Sequence, residues 1–183
     1  MKLTERIIDI TSLAISPEQE APRTEGCHVS SIIRYLKSGL DGGGKNNFTQ
    51  DDLENFAIVG RLFETVLAQG MFRPPRYVRI GEIVCDDIIG SPDAYDVEEG
   101  AVLEFKATWV SSKRDILSIR HYWWQLLAYA KMLETQKAVL VAFYVNGDYT
   151  NRVPQMKAWD VFFTQDEIEQ NWQMLVRNKE MAQ

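Results

Sequence analysis

The stretch Ala101-Val102-Leu103-Glu104-Phe105-Lys106-Ala107-Thr108 decides the fold. Residues two apart share a face of a strand, so Val102, Glu104 and Lys106 fall on one side and Leu103, Phe105 and Ala107 on the other. Two turns precede it, Gly90-Ser91-Pro92 leading into Asp93 and Glu98-Glu99-Gly100. Tyr77 to Val84 and Asp86 to Ile89 read as two short strands further upstream. A long helix is expected from about Asp115 to Glu134, with Ile119, Tyr122, Trp123, Leu126, Ala130 and Leu133 as its apolar stripe. Lys137 to Asn146 is continuously apolar, the pattern of a strand buried on both faces. Met156 to Phe163 supplies a partner strand. Thr164 to Lys179 is a final helix, opened by the capping box Thr164-Gln165-Asp166-Glu167.

Two helices are expected before the strands. Ser30 to Ser38 carries Ile32, Ile33 and Leu36. The second is capped by Thr49, has Asp51 and Asp52 in its first turn, and ends near Gly70 ahead of Pro74-Pro75. Helices, a strand meander, a helix, strands and a helix make an α/β domain with a central mixed sheet flanked by helices.

The 183 residues suit one domain, read as 1–183 with three parts. Residues 1–48 hold the first helix and a mobile glycine-rich loop, Ser38 to Asn47, after an irregular segment at 16–26. Residues 49–134 hold the chemical motifs, and 135–183 the last strands and helix. Apolar residues are 45% and charged residues 25%, the mix of a soluble globular chain. The longest apolar run, Ala138 to Val145, is far short of the ~20 residues a helical span needs, so no membrane is expected. Glu5, Arg6 and Asp9 interrupt the N-terminus, which excludes a signal peptide and points to the cytoplasm. Cys27 and Cys85 are too few for a disulfide scaffold or a four-cysteine metal site. The net charge of −6 argues against simple nucleic-acid binding, although a cation held by clustered carboxylates inverts the local charge.

The chemistry-bearing set is Asp93, then Glu104-Phe105-Lys106 ten residues on. Carboxylates on neighbouring strands can share a hard divalent cation, and a lysine on the same face can orient a water. The composition yields about one acid-x-lysine triplet by chance, and an exposed strand edge with an ion pair would look the same. Context distinguishes the two: this triplet is embedded in an apolar strand, with Pro92-Asp93 at hairpin distance. Gln125 and Tyr129 follow on one helix face. Glu64 lies on a helix stripe of small residues, Ala57, Gly60 and Ala68, which predicts a close approach to the sheet with the carboxylate turned inward.

The set Glu64, Asp93, Glu104-x-Lys106 and Gln125-x-x-x-Tyr129 resembles the PD-(D/E)xK nuclease superfamily. Within it, the resemblance is to the RecB-type branch that includes phage exonucleases and the nuclease of CRISPR spacer acquisition. It covers about residues 56–130. It implies a restriction-endonuclease-like fold and hydrolysis of DNA phosphodiesters, by an exonuclease, with Mg2+ or Mn2+. By the same resemblance Asp93, Glu104 and the Phe105 carbonyl ligate the metal, joined by Glu64 directly or through water. Lys106 positions the attacking water, so Asp93, Glu104 and Lys106 are the catalytic group. Gln125 and Tyr129 contact the DNA strand. Branch members with an iron–sulfur cluster use four cysteines, so none is expected here. DNA ends or single strands are the expected partner, a homo-oligomer is compatible, and the setting implied is a bacterial or phage-infected cell. The alternative is a catalytically silent module of the same fold that binds nucleic acid or a partner protein.

Other residues have plainer readings. Lys113, Arg114 and Arg120 flank the long helix as a DNA-tracking group; Arg34, Lys37 and Lys45, and Arg73, Arg76 and Arg79, form further basic groups. His28 reads as a local cap, His121 as solvated or structural, and Trp123 as core. Asp86-Asp87 reads as a turn between strands. No Walker loop, dinucleotide-binding glycine motif or nucleophile elbow occurs.

Overall fold

The alternating stretch forms a strand with the expected bounds, Ala101–Thr108. In this computed structural model, residues 1–6, 24–40 and 50–182 are described. In chain order the elements are β1 (Lys2–Arg6), β2 (Cys27–His28), α1 (Val29–Leu40), α2 (Gln50–Gly70), β3 (Tyr77–Val78), β4 (Ile83–Cys85), β5 (Ile88–Gly90), β6 (Ala94–Asp96), β7 (Ala101–Thr108), α3 (Arg120–Met132), β8 (Lys137–Tyr144), β9 (Gln155–Phe162) and α4 (Gln165–Asn178). Most of the expected glycine loop, the Thr49 cap and residues 16–23 lie outside the described residues.

Six strands form the main sheet in the order β1-β9-β8-β7-β6-β3. Only β7 and β8 pair in parallel; every other pair in this sheet is antiparallel. The parallel pair needs a crossover, and α3 supplies it. Strand alternation divides the core in two. Val102, Leu140, Trp159 and Val161 pack with Ile32, Leu126 and Trp172 under α1, α3 and α4. Leu103, Phe105, Val139, Val141 and Ala158 pack with Leu67 and Phe72 of α2 and the turn after it. This is the expected restriction-endonuclease-like α/β fold, a central mixed sheet with helices on both faces.

Four expectations change. The N-terminus contributes the edge strand β1, which antiparallel pairing with β9 holds in place. Tyr77 to Val84 is not one strand: β3 joins the main sheet, β4 joins a small sheet ordered β2-β5-β4, and Gly81 at φ 80° turns the chain between them. The long helix begins later. Asp115 accepts from the Leu117 N–H to cap a short 3-10 turn, Ile116–Ser118, and Ile119 leaves helical geometry before α3 starts. Finally, a Cβ at Gly60 would meet nothing within 4 Å. That residue therefore marks no close approach, and α2 grips the sheet through Phe63, stacked on Phe143, and Leu67.

Candidate active site

The site arises where β6 stops and β7 continues. Along β7, β6 reaches only Ala101, Val102 and Leu103. Beyond that point a side chain takes over the ladder, with the Phe105 N–H donating to Asp93 Oδ2 at 2.6 Å. Tyr95 lies opposite Val102, so Asp93, two residues earlier, falls on the face that carries Val102, Glu104 and Lys106. Lys106 Nζ donates to Glu104 Oε1. Glu104 is 1% exposed, and its other oxygen, Oε2, is buried with no hydrogen-bond partner. A buried carboxylate oxygen left unpaired is costly, so its presence calls for a reason.

α3 closes the site from above. Gln125 Nε2 donates to Tyr129 Oη at 2.9 Å, and a backbone hydrogen bond from Ser91 also reaches that hydroxyl. Lys106 Nζ stands 6.0 Å from the Tyr122 ring centroid, within cation–π range. Gly90 makes this packing possible, because a Cβ there would sit 2.3 Å from Met132 Sδ and 3.1 Å from the Tyr129 ring.

The electrostatics are those of a concentrated acid pair. Burial, then the charge of Glu104, pushes Asp93 up to about 8. Burial also raises Glu104, with Glu64 adding to the rise and Lys106 opposing it. For Lys106, burial favours the neutral amine, but Glu104 and Asp93 outweigh it and hold the ammonium. Burial and the charge of Glu104 hold the Tyr129 hydroxyl protonated. The lysine thus serves as the resident cation between two carboxylates that repel each other.

No protein-family model and no curated protein matches this sequence. Among solved structures, the chain is similar to SSO0001 at 16% identity and a TM-score of 0.55, over 89% of this chain and 77% of that one. It is also similar to a phage-related exonuclease from Haemophilus somnus 129PT at 13% identity and a TM-score of 0.45, over 84% of this chain and 80% of that one. At these identities the likeness is one of fold.

Asp93, Glu104, Lys106, Gln125 and Tyr129 come together. Glu64 stands at the border. Its charge acts on Glu104, while its Oε1 lies 3.3 Å from Arg79 Nη2. Among the described residues, no three His, Cys, Asp or Glu side chains form a ready-made metal cage. Lys113 and Arg114 instead line an open cleft of about 450 Å3 with Lys157, Asp148 and Trp159. Lys113 pairs there with Asp148 at 3.0 Å, and Arg114 donates to Ser118 Oγ at 3.1 Å. Arg120 is exposed at the start of α3.

Asp86 and Asp87 form the β4–β5 turn at φ 49° and 61°, and Asp86 accepts from the Trp172 indole. Trp123 is a core residue whose indole donates to the Ile116 carbonyl. His28 is bonded to the Thr24 carbonyl at 2.8 Å, and His121 packs edge-on against Tyr122. Arg76 is committed to Asp96 and Glu98. One site residue escapes sequence reasoning, Tyr122 beside Lys106. Tyr122 reads as core from helical spacing. Arg79, beside Glu64, carries a signal only as one of the basic group with Arg73 and Arg76.

No helix among the described residues is long and apolar enough to cross a membrane.

Proposed function

We propose that the protein is a deoxyribonuclease that hydrolyses DNA phosphodiesters with Mg2+ or Mn2+, acting as an exonuclease. The observation that carries this reading is Glu104 Oε2, a buried carboxylate oxygen with no partner, beside a second carboxylate whose ionisation burial opposes. An all-oxygen donor set fits a hard divalent cation, which would satisfy the orphaned oxygen and offset the repulsion.

Asp93 and Glu104 would hold the ion, with the Phe105 carbonyl and Glu64 as further oxygen donors. When bound, such a cation supplies Lewis acidity toward the phosphodiester. Lys106, held as an ammonium by Glu104 and Asp93, orients the attacking water on the strand face they share. Gln125 and Tyr129, linked to each other by a hydrogen bond, position the strand from α3. Burial of the acids keeps bulk water away and strengthens each of these contacts.

The test uses end-labelled linear and closed circular DNA with Mn2+, Mg2+ or chelator, for the wild type and Asp93→Ala. Metal-dependent loss of linear DNA alone, absent in the variant, supports the reading. Nicking of the circle supports an endonuclease instead. Retention of DNA on a gel without cleavage of either form supports a silent binding module.

A further inference from the structure

Of the arginines at 73, 76 and 79, Arg76 is locked against Asp96 by two hydrogen bonds at 3.0 and 2.8 Å. Arg79 is placed differently. β3 pairs with β6 as Tyr77 with Asp96 and Val78 with Tyr95, so the chain leaving β3 runs beside Ala94 and Asp93. Arg79 is the next residue. Its side chain is 42% exposed and reaches Glu64, itself 29% exposed, at 3.3 Å. Both partners feel the acid site: the charge of Arg79 lowers Asp93, and that of Glu64 raises Glu104. The ion pair therefore spans from α2 to the segment flanking Asp93. Phe63, the neighbour of Glu64, is stacked on Phe143 at 5.0 Å and anchors the helix.

We propose that the Glu64–Arg79 ion pair is a latch beside the acid site: Arg79 holds Glu64 in the metal-free protein, a divalent cation at Asp93 and Glu104 draws Glu64 to itself, and the released guanidinium takes a phosphate of the DNA strand. The inference rests on the nuclease reading above. It has a simple physical basis. The charge of Glu64 already acts on Glu104, and a divalent ion held there outbids a half-exposed arginine. A planar guanidinium that loses its carboxylate finds in a phosphate the same two-oxygen acceptor.

The experiment is a double-mutant cycle on the full chain. Mn2+ binding is measured by calorimetry for wild type, Arg79→Ala, Glu64→Gln and the double variant. A half-exposed pair of this kind predicts about two- to fivefold tighter Mn2+ binding in Arg79→Ala, and no tightening when Glu64 is already Gln. Equal tightening in both backgrounds would reduce Arg79 to a source of long-range field and overturn the latch. Binding of a short fluorescein-labelled DNA strand is then followed against salt, with Ca2+ as the cation. Loss of one phosphate contact lowers the slope of log affinity against log salt by about 0.7–0.9 in Arg79→Ala. An unchanged slope would overturn the phosphate step. A wild type that binds Mn2+ and cleaves DNA, yet shows no coupling in the cycle, sinks the latch alone. A wild type that binds no Mn2+ sinks the nuclease reading with it.

Discussion

Asp93 and Asp96 sit three residues apart, at the entry and the exit of β6, and meet opposite fates. Asp96 is fully buried and fully occupied. Arg76 donates to one of its oxygens twice, and the Glu98 and Glu99 N–H groups donate to the other. Burial alone would raise it, yet these bonds hold it below the ordinary carboxylate range. Asp93 has the Phe105 N–H, a distant arginine and a lysine shared with Glu104, and burial pushes it up to about 8. A buried carboxylate given enough donors becomes a structural staple for a turn. One left short of donors beside a second acid is the group that the proposed nuclease would give to a cation. The same residue type on one strand thus separates stability from chemistry.

The comparison can be broken most directly at the acid pair. Glu104→Gln should lower cleavage by about 10²–10⁴-fold, the range for losing a group that works in the transition state. Its melting temperature at neutral pH should fall little, because the glutamine carbonyl can still accept from Lys106. Retained cleavage with a lowered melting temperature would make Glu104 a structural acid like Asp96. Asp96→Ala should do the reverse. Stripping the Glu98 and Glu99 N–H groups of their buried acceptor costs about 1–3 kcal/mol in chemical denaturation. Cleavage per folded molecule should stay at the wild-type level.

The pH dependence of metal-free stability sharpens the contrast. Between the ordinary value of 3.8 and about 8, folded Asp93 keeps a proton that the unfolded chain has released. Stability therefore falls as pH rises through that window and levels off above it. Asp96 is depressed, so its contribution is present above 3.8 and is lost as pH falls through its lower folded value. Thermal melts across pH should flatten between 3.8 and about 8 in Asp93→Asn and below 3.8 in Asp96→Asn. The smallest effect belongs to Arg76→Ala. It should lower the melting temperature less than Asp96→Ala, because Asp96 keeps its two backbone donors and the arginine itself is 37% exposed.

What could be read from the sequence followed from periodicity. β7 was legible to the residue because one face alternates against the other, and the capping box marked the start of α4 through Thr164 and Glu167, whose reciprocal bonds are present. β1 was not legible: Lys2, Glu5 and Arg6 leave no apolar alternation, and the strand exists because β9 offers it an edge. The division of Tyr77 to Val84 between two sheets was equally hidden, since both halves have strand character and only the partners differ. In the site, Asp93, Glu104 and Lys106 were legible from spacing on one strand face. Glu64 was read from a stripe of small residues, of which Gly60 has open space where a close approach was expected. Its tie to Arg79 is a contact fifteen residues away in sequence, set by how β3 lies against β6.

The Phe105 backbone amide offers a window on all this. Its side chain is locked in the core under α2, 5.0 Å from the Phe72 ring, while its N–H points at Asp93. A proton bonded to a carboxylate at 2.6 Å feels every change in that carboxylate's charge. In a nitrogen–proton NMR spectrum the Phe105 resonance should therefore titrate with Asp93, and shift again when a cation arrives. One peak, from a residue with no ionisable group of its own, would read out the state of the site without any substrate present.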